Sequence, residues 1–173
     1  AAGYWQIMKS TGRENGLEIN NEIDERYHIE KSTQVACDYL NEAYERFGNW
    51  TLAAASYNMG MAGTARRLAE QGVESYYDLL LNAETARYVY RVAAVKHIHE
   101  NLEEFGYVYH QDQGYSFPEM DTISVNTKVT DWISWAKAQG ITYNTLRVYN
   151  PWIQSQQLSN STNKAYHIWV PSK

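Results

Sequence analysis

Three short stretches of the chain carry side chains whose types and spacing could do chemistry. In Ala54-Ala55-Ser56-Tyr57-Asn58-Met59-Gly60, small residues end in a Tyr-Asn pair just ahead of a glycine able to take positive φ. Tyr57 offers a flat ring and a hydroxyl, and Asn58 offers both a donor and an acceptor, a combination that suits a sugar pocket. A tightly packed helix with an ordinary C-cap accounts for the same residues. In Glu84-Thr85-Ala86-Arg87-Tyr88-Val89, Tyr88 lies near a helix start, where the positive end of the dipole favours a carboxylate nearby and Glu84 can complement it. Plain helix-start chemistry with Tyr88 in the apolar stripe explains this as well. Near the beginning, Gly3-Tyr4-Trp5-Gln6-Ile7-Met8 sets an amide beside two aromatics, and a helix start with a buried Trp explains it equally.

Composition narrows what these stretches could serve. The chain has 173 residues with fifteen Tyr and six Trp but three Phe, so amphipathic aromatics dominate, as in wet grooves lined by flat apolar faces with hydrogen-bonding tips. Fifteen Lys and Arg against twenty Asp and Glu give a formal charge of −5, with no basic stripe for a polyanion, and no nucleic-acid partner is expected. A mean hydropathy of −0.59 describes a soluble globular chain, and no run has the length of a membrane span. Cys37 has no partner for an internal disulfide, and five scattered histidines offer no zinc-type spacing. Neither a metal nor a cofactor is expected. His97 and His99, two apart on a helix, face different sides.

The elements that must position these stretches follow from periodicity. Apolar positions predict a helix over Ser32 to Phe47, and Asn49 caps a nearly all-apolar helix from Trp50 to Met59 that should be central and buried. A short helix over Thr64 to Gln71 and a tyrosine-rich helix or turn over Val73 to Leu81 follow. A long helix is expected from Glu84 to Phe105, with Tyr88, Val92, Val95, Ile98, Leu102 and Phe105 stepping by three or four. After an aperiodic stretch with Gly114 and Pro118 comes a strand over 122–125. Thr130 then caps a helix over Asp131 to Gln139, Thr142 caps Tyr143 to Tyr149, and Tyr166 to Val170 closes as a strand. The fold class is mainly α, a helical domain over 1–106 joined by a linker at 107–120 to a small α+β module over 121–173. Such a module has too small a core to stand alone and should lean on the helical domain. Trp132, Trp135, Trp152 and Trp169 can form either its core or a docking surface, and docking is the simpler expectation.

Taken together, Gly-x-Trp-Gln, Tyr-Asn-x-Gly about fifty residues on, and Glu-Thr-x-x-Tyr-Val resemble the lytic transglycosylases with a goose-lysozyme-like (SLT) domain. Asp24-Glu25-Arg26, Phe47-Gly48-Asn49-Trp50 and Leu52-Ala53 are similar to that family's usual run. The resemblance covers residues 1 to about 106 and implies a lysozyme-like fold. It also implies bacterial peptidoglycan glycan strands as partner, in the periplasm or at the outer membrane. The implied reaction is a lyase cleavage of the bond between N-acetylmuramic acid and N-acetylglucosamine that leaves a 1,6-anhydromuramyl end. Carried over residue by residue, Gln6, Tyr57, Asn58 and the Trp5 region would line the sugar, and Tyr88 would support the acid.

The family's single catalytic glutamate lies in a Glu-Ser motif shortly upstream of Gly-x-Trp-Gln, hence ahead of Ala1, and has no match in this chain. Glu14, Glu18, Glu22, Asp24 and Glu25 fall in a polar stretch expected to be exposed, without the apolar flanks that would hold a proton at neutral pH. The chain alone is therefore expected to be inactive. Any membrane anchor of the parent would lie outside it, and the apolar face left by the missing segment would be covered by a partner or a second copy. A non-catalytic glycan-binding domain and a hydrolysing goose-type lysozyme are the alternatives. The order from Thr122 to Pro171 resembles a LysM-like module, although the usual Gly-Asp-Thr start reads Asn126-Thr127-Lys128-Val129-Thr130-Asp131, which makes packing at least as good an expectation as sugar binding.

Overall fold

The computed structural model describes residues 1–108, 110, 112 and 114–172. Part of the linker expected at 107–120, namely Tyr109, Gln111 and Gln113, lies outside the described residues. The elements run α1 (Lys9–Glu14), a 3₁₀ turn (Glu25–Tyr27), α2 (Ile29–Phe47), α3 (Trp50–Met59), α4 (Met61–Gln71) and a second 3₁₀ turn (Tyr76–Asp78). They continue with α5 (Ala83–Glu100), β1 (Met120–Val125), α6 (Trp132–Ala138), α7 (Tyr143–Tyr149) and β2 (Tyr166–Pro171). The chain forms two compact units, one of residues 1–36 with 116–173 and the other of residues 37–115, the division falling within α2.

In the first unit β1 and β2 pair antiparallel, Met120 opposite Pro171 and Val125 opposite Tyr166. Burial alternates along β2, where Tyr166, Ile168 and Val170 face inward, the period of two expected of a half-buried strand. Asp131, one residue later than expected, is the cap of α6: its carboxylate accepts the amides of Ile133 and Ser134 at 3.1 and 2.9 Å. The carboxylate takes two orphan amides at once, one on each oxygen. Thr142 caps α7 as the sequence indicates.

The core of this module includes Trp132, Leu146, Trp152, Leu158 and Ile168, and it is completed by Ile23 from the N-terminal stretch, with Tyr27 packed against it. Trp132 and Trp152 are thus core residues rather than a docking surface, with Trp135 half-buried at their edge. The module does lean on the N-terminal stretch. Ile23 bridges Ile153, the Asp24 amide donates to the Trp152 carbonyl at 2.9 Å, and Gln154 donates to the Glu22 carbonyl at 2.7 Å.

The acidic stretch that makes this seam is not the exposed run expected from its composition. Asp24 and Glu25 are buried, and Glu18 and Glu22 are half-buried. Each finds a partner: Asp24 holds Arg26 at 2.6 and 2.9 Å, Glu22 accepts from Ser159, Glu18 accepts from Lys164 and Tyr166, and Glu25 pairs with Lys31 and Lys164. Local composition could not show this, because Ser159, Lys164 and Tyr166 lie more than 130 residues away in sequence.

A second cluster in the same unit, Ile7, Leu17, Ile19 and Val35, is flanked by Trp5, whose indole donates to Thr33 Oγ1 at 2.7 Å. The tight turn ahead of it needs Gly3. At φ +76°, a Cβ there would sit 2.0 Å from the Arg26 carbonyl oxygen.

In the second unit α3 is the buried element. Leu52, Ala53, Ala55 and Ser56 are covered, and Asn49 caps its start by accepting the Leu52 amide at 2.8 Å. Leu52, Ala55 and Tyr76 form the centre, with Phe47, Leu68, Leu79, Leu81 and Val89 around them. Three small or short side chains on α3 allow α4 and α5 to approach it closely, as the all-apolar reading of this helix required. α5 ends at Glu100, five residues short of the expected Phe105. Asn101 closes it by turning its amide back onto the His97 carbonyl at 2.8 Å, and the chain then folds so that Phe105 meets the His97 ring edge-on at 5.5 Å. Beyond Val89 the helix is almost wholly exposed, Val92 and Val95 included.

Candidate functional site

Within the second unit, the last turn of α3 and the first turns of α5 bring together Tyr57, Asn58, Glu84, Thr85 and Tyr88. α3 ends where Gly60, at φ +83°, lets the chain reverse into α4, and this leaves Tyr57 and Asn58 half-buried at the end of the helix. The junction is held by Tyr39 of α2, whose hydroxyl donates to the Ser56 carbonyl at 2.8 Å and accepts the Met61 amide at 3.0 Å. Its ring meets that of Tyr57 edge-on, with centroids 5.4 Å apart, so one residue fixes both the backbone and the ring beside it. Neither the composition nor the periodicity pointed to Tyr39.

The start of α5 is set by Asn82, which accepts the Thr85 amide at 2.9 Å, and by Tyr76, whose hydroxyl donates to the Thr85 and Ala86 carbonyls at 3.1 and 2.9 Å. Thr85 is fully buried, and its hydroxyl donates to Asn58 Oδ1 at 2.8 Å. The Asn58 nitrogen faces Glu84 Oε1 at 3.5 Å, a long electrostatic contact. Tyr88, one turn beyond Glu84 on the same helix face, is close enough to Tyr57 to act on its ionisation. Burial, with Tyr88, Tyr39 and Cys37 nearby, pushes the Tyr57 hydroxyl up to about 12, and burial raises Tyr88 too. Both phenols are therefore neutral at physiological pH and able to donate as well as accept.

The other two expected site residues belong to the first unit. Trp5 packs on the Ile7 cluster through its bond to Thr33, and Gln6 is exposed at φ +50° with its side-chain amide turned onto the Gly3 carbonyl at 2.8 Å. Gln6 thus stabilises its own tight turn.

A buried carboxylate is present, but its chemistry is wrong for an acid. Burial by itself would raise the Glu25 carboxyl, yet the bond from Lys31, the Glu18 amide and the charges of Lys31 and Lys164 outweigh that and hold it below the ordinary range. It is ionised at neutral pH. Glu84, beside Asn58, is exposed. Among the described residues no group of histidine, cysteine and carboxylate side chains is arranged to hold a metal ion, and no helix is long and apolar enough to cross a membrane.

The class this describes is a helical domain of lysozyme type with a small strand-helix-helix-strand module. Residues 1–80 match the family model of the transglycosylase SLT domain, and residues 121–173 match that of the soluble lytic transglycosylase C-terminal LysM-like domain. Both matched regions are thus similar to domains found in lytic transglycosylases. The chain is also 33% identical over 111 residues to membrane-bound lytic murein transglycosylase D of Escherichia coli K12, and equally so to that of E. coli O6:H1; the match takes in 61% of this chain and 25% of either relative. The chain therefore spans about a quarter of the length of the curated relatives it matches.

Proposed function

We propose that this chain forms the sugar-holding part of a lytic transglycosylase acting on peptidoglycan in the bacterial envelope. The observation that carries the reading is the cluster of Tyr57, Asn58 and Tyr88, two neutral phenols and an oriented carboxamide at one end of a buried helix. Flat rings suit the apolar face of a pyranose, and a carboxamide matches the acetamido group that distinguishes amino sugars. Gln6 and Trp5 are proposed as further glycan-contacting residues, and the chain is proposed to consist of a helical domain over 1–106 and a module over 121–173.

The proposed reaction cleaves the glycosidic bond between N-acetylmuramic acid and N-acetylglucosamine. One carboxylic acid protonates the glycosidic oxygen. The resulting carboxylate then accepts the proton of the muramyl 6-hydroxyl as that oxygen bonds to C1, which leaves a 1,6-anhydro end and consumes no water. The acid must be protonated near neutral pH, which excludes Glu25 by its two lysines and Glu84 by its exposure. In this reading the acid comes from outside these residues, and the present chain binds glycan without cleaving it. Digestion of peptidoglycan by a longer form that includes a glutamate ahead of Gly3, followed by mass spectrometry, tests the reaction: anhydro-muropeptides lighter by one water than hydrolysed ones support it, and hydrolysed ends instead indicate a lysozyme.

A further inference from the structure

We propose that Thr85 is a positioning residue that, together with Glu84, fixes which way the Asn58 carboxamide faces, and thereby makes the site selective for an acetamido group. The inference rests on the sugar-site reading for its ligand, but its geometry stands independently of it.

The two ends of an asparagine amide are nearly isosteric, so its direction is set by its neighbours. A carboxylate oxygen accepts, and Glu84 Oε1, 3.5 Å away, favours the nitrogen of Asn58 on its side. The oxygen then falls toward Thr85, whose hydroxyl donates to it at 2.8 Å. Thr85 itself cannot shift to relax this arrangement. It is 1% exposed, its amide is tied to Asn82 Oδ1, and its carbonyl accepts the Tyr76 hydroxyl. One N–H and one lone pair of Asn58 are left for a ligand, the pair that an acetamido carbonyl and N–H can satisfy in two-point fashion. A reversed amide would set its nitrogen beside a hydroxyl and its oxygen against a carboxylate, and would offer the two points in the opposite order.

The test compares Thr85→Val, which keeps the shape and loses the hydroxyl, with Thr85→Ser, which keeps the hydroxyl. Two readouts are taken: the Asn58 side-chain amide resonances, with their cross-relaxation to Glu84, and the affinity for tri-N-acetylchitotriose. The expected result is that Thr85→Val shifts and broadens the Asn58 amide pair, loses its proximity to Glu84, and weakens oligosaccharide binding about tenfold, while Thr85→Ser restores both. Unchanged Asn58 resonances in Thr85→Val, or an equal loss in Thr85→Ser, overturn the proposal. If Thr85→Val does not fold, the wild-type protein decides: Asn58 amide protons close to the Glu84 side chain support the assignment, and amide protons close to the Thr85 hydroxyl refute it. Failure of the wild-type protein to bind the oligosaccharide removes the sugar reading, while the Asn58 resonances still decide the role of Thr85.

Discussion

The Tyr166 hydroxyl donates to both carboxylate oxygens of Glu18 at 3.0 Å, joining the last strand to a stretch 148 residues earlier. Together with Lys164, which reaches Glu18 at 2.6 Å and lies over the Tyr166 ring, it makes the C-terminal module part of one packed unit with residues 1–36. Tyr166→Phe removes the hydrogen bond and keeps the ring. A bond to a charged group on a partly buried carboxylate contributes about 1.5 kcal/mol, which should lower the melting temperature by a few degrees in calorimetry. No change in melting would mean that the Tyr166–Glu18 bond contributes nothing to the seam.

The same seam should respond to acid. His28 stacks on Trp152 with ring centroids 5.7 Å apart, and burial, then Lys31, lowers its pKa below 6.5. Its neutral form is favoured by folding, so its contribution is present above about pH 6.5 and is lost as pH falls through the lowered value. Glu25, also held below its ordinary value of 4.5, contributes above that value and is lost at still lower pH. Chemical denaturation at stepped pH should show stability declining first below about 6.5 and again below about 4.5, with His28→Gln abolishing the first decline.

Gly3 offers a sharper test of the N-terminal turn. Gly3→Ala places a methyl against the Arg26 backbone carbonyl in a left-handed conformation, and should cost more than about 2 kcal/mol. Gly16, also at positive φ (+81°) but with open space around it, serves as the control, and its alanine variant should cost only the conformational strain of about 1 kcal/mol. Equal costs at the two sites would show that the close approach to Arg26 is absent in solution.

Val92 and Val95 on the outer half of α5 are 49% and 62% exposed, a small apolar face on the second unit. Self-association through this face should appear as a concentration-dependent mass in sedimentation equilibrium, and Val95→Glu should abolish it. A monomer at all concentrations would exclude it.

How much of this was readable in sequence depended on whether the partners were local. The small-residue helix ending in glycine and the tyrosine near a helix start are local patterns that plain packing also explains, and only the joint order of the motifs suggested that Tyr57, Asn58 and Tyr88 lie near one another. The end of α5 was misplaced because the apolar step continues to Phe105, while the stop is made by the Asn101 side chain, which no period records. Asp24 and Glu25 were misread for the opposite reason. A run of acids looks solvated until Trp152, Ser159, Lys164 and Tyr166 are brought to it by the fold. Thr85 stands in the Glu-Thr-x-x-Tyr-Val motif, but only the geometry shows that its hydroxyl ends on Asn58.

The account turns on whether Tyr57, Asn58 and Tyr88 hold an amino sugar. Titrating the isotope-labelled chain with tri-N-acetylchitotriose and following backbone resonances tests this directly. Saturable shifts concentrated at the end of α3 and the first turns of α5, lost in Asn58→Ala, are the predicted result. Saturable shifts confined to the β1–α6 loop, or none anywhere, would contradict it.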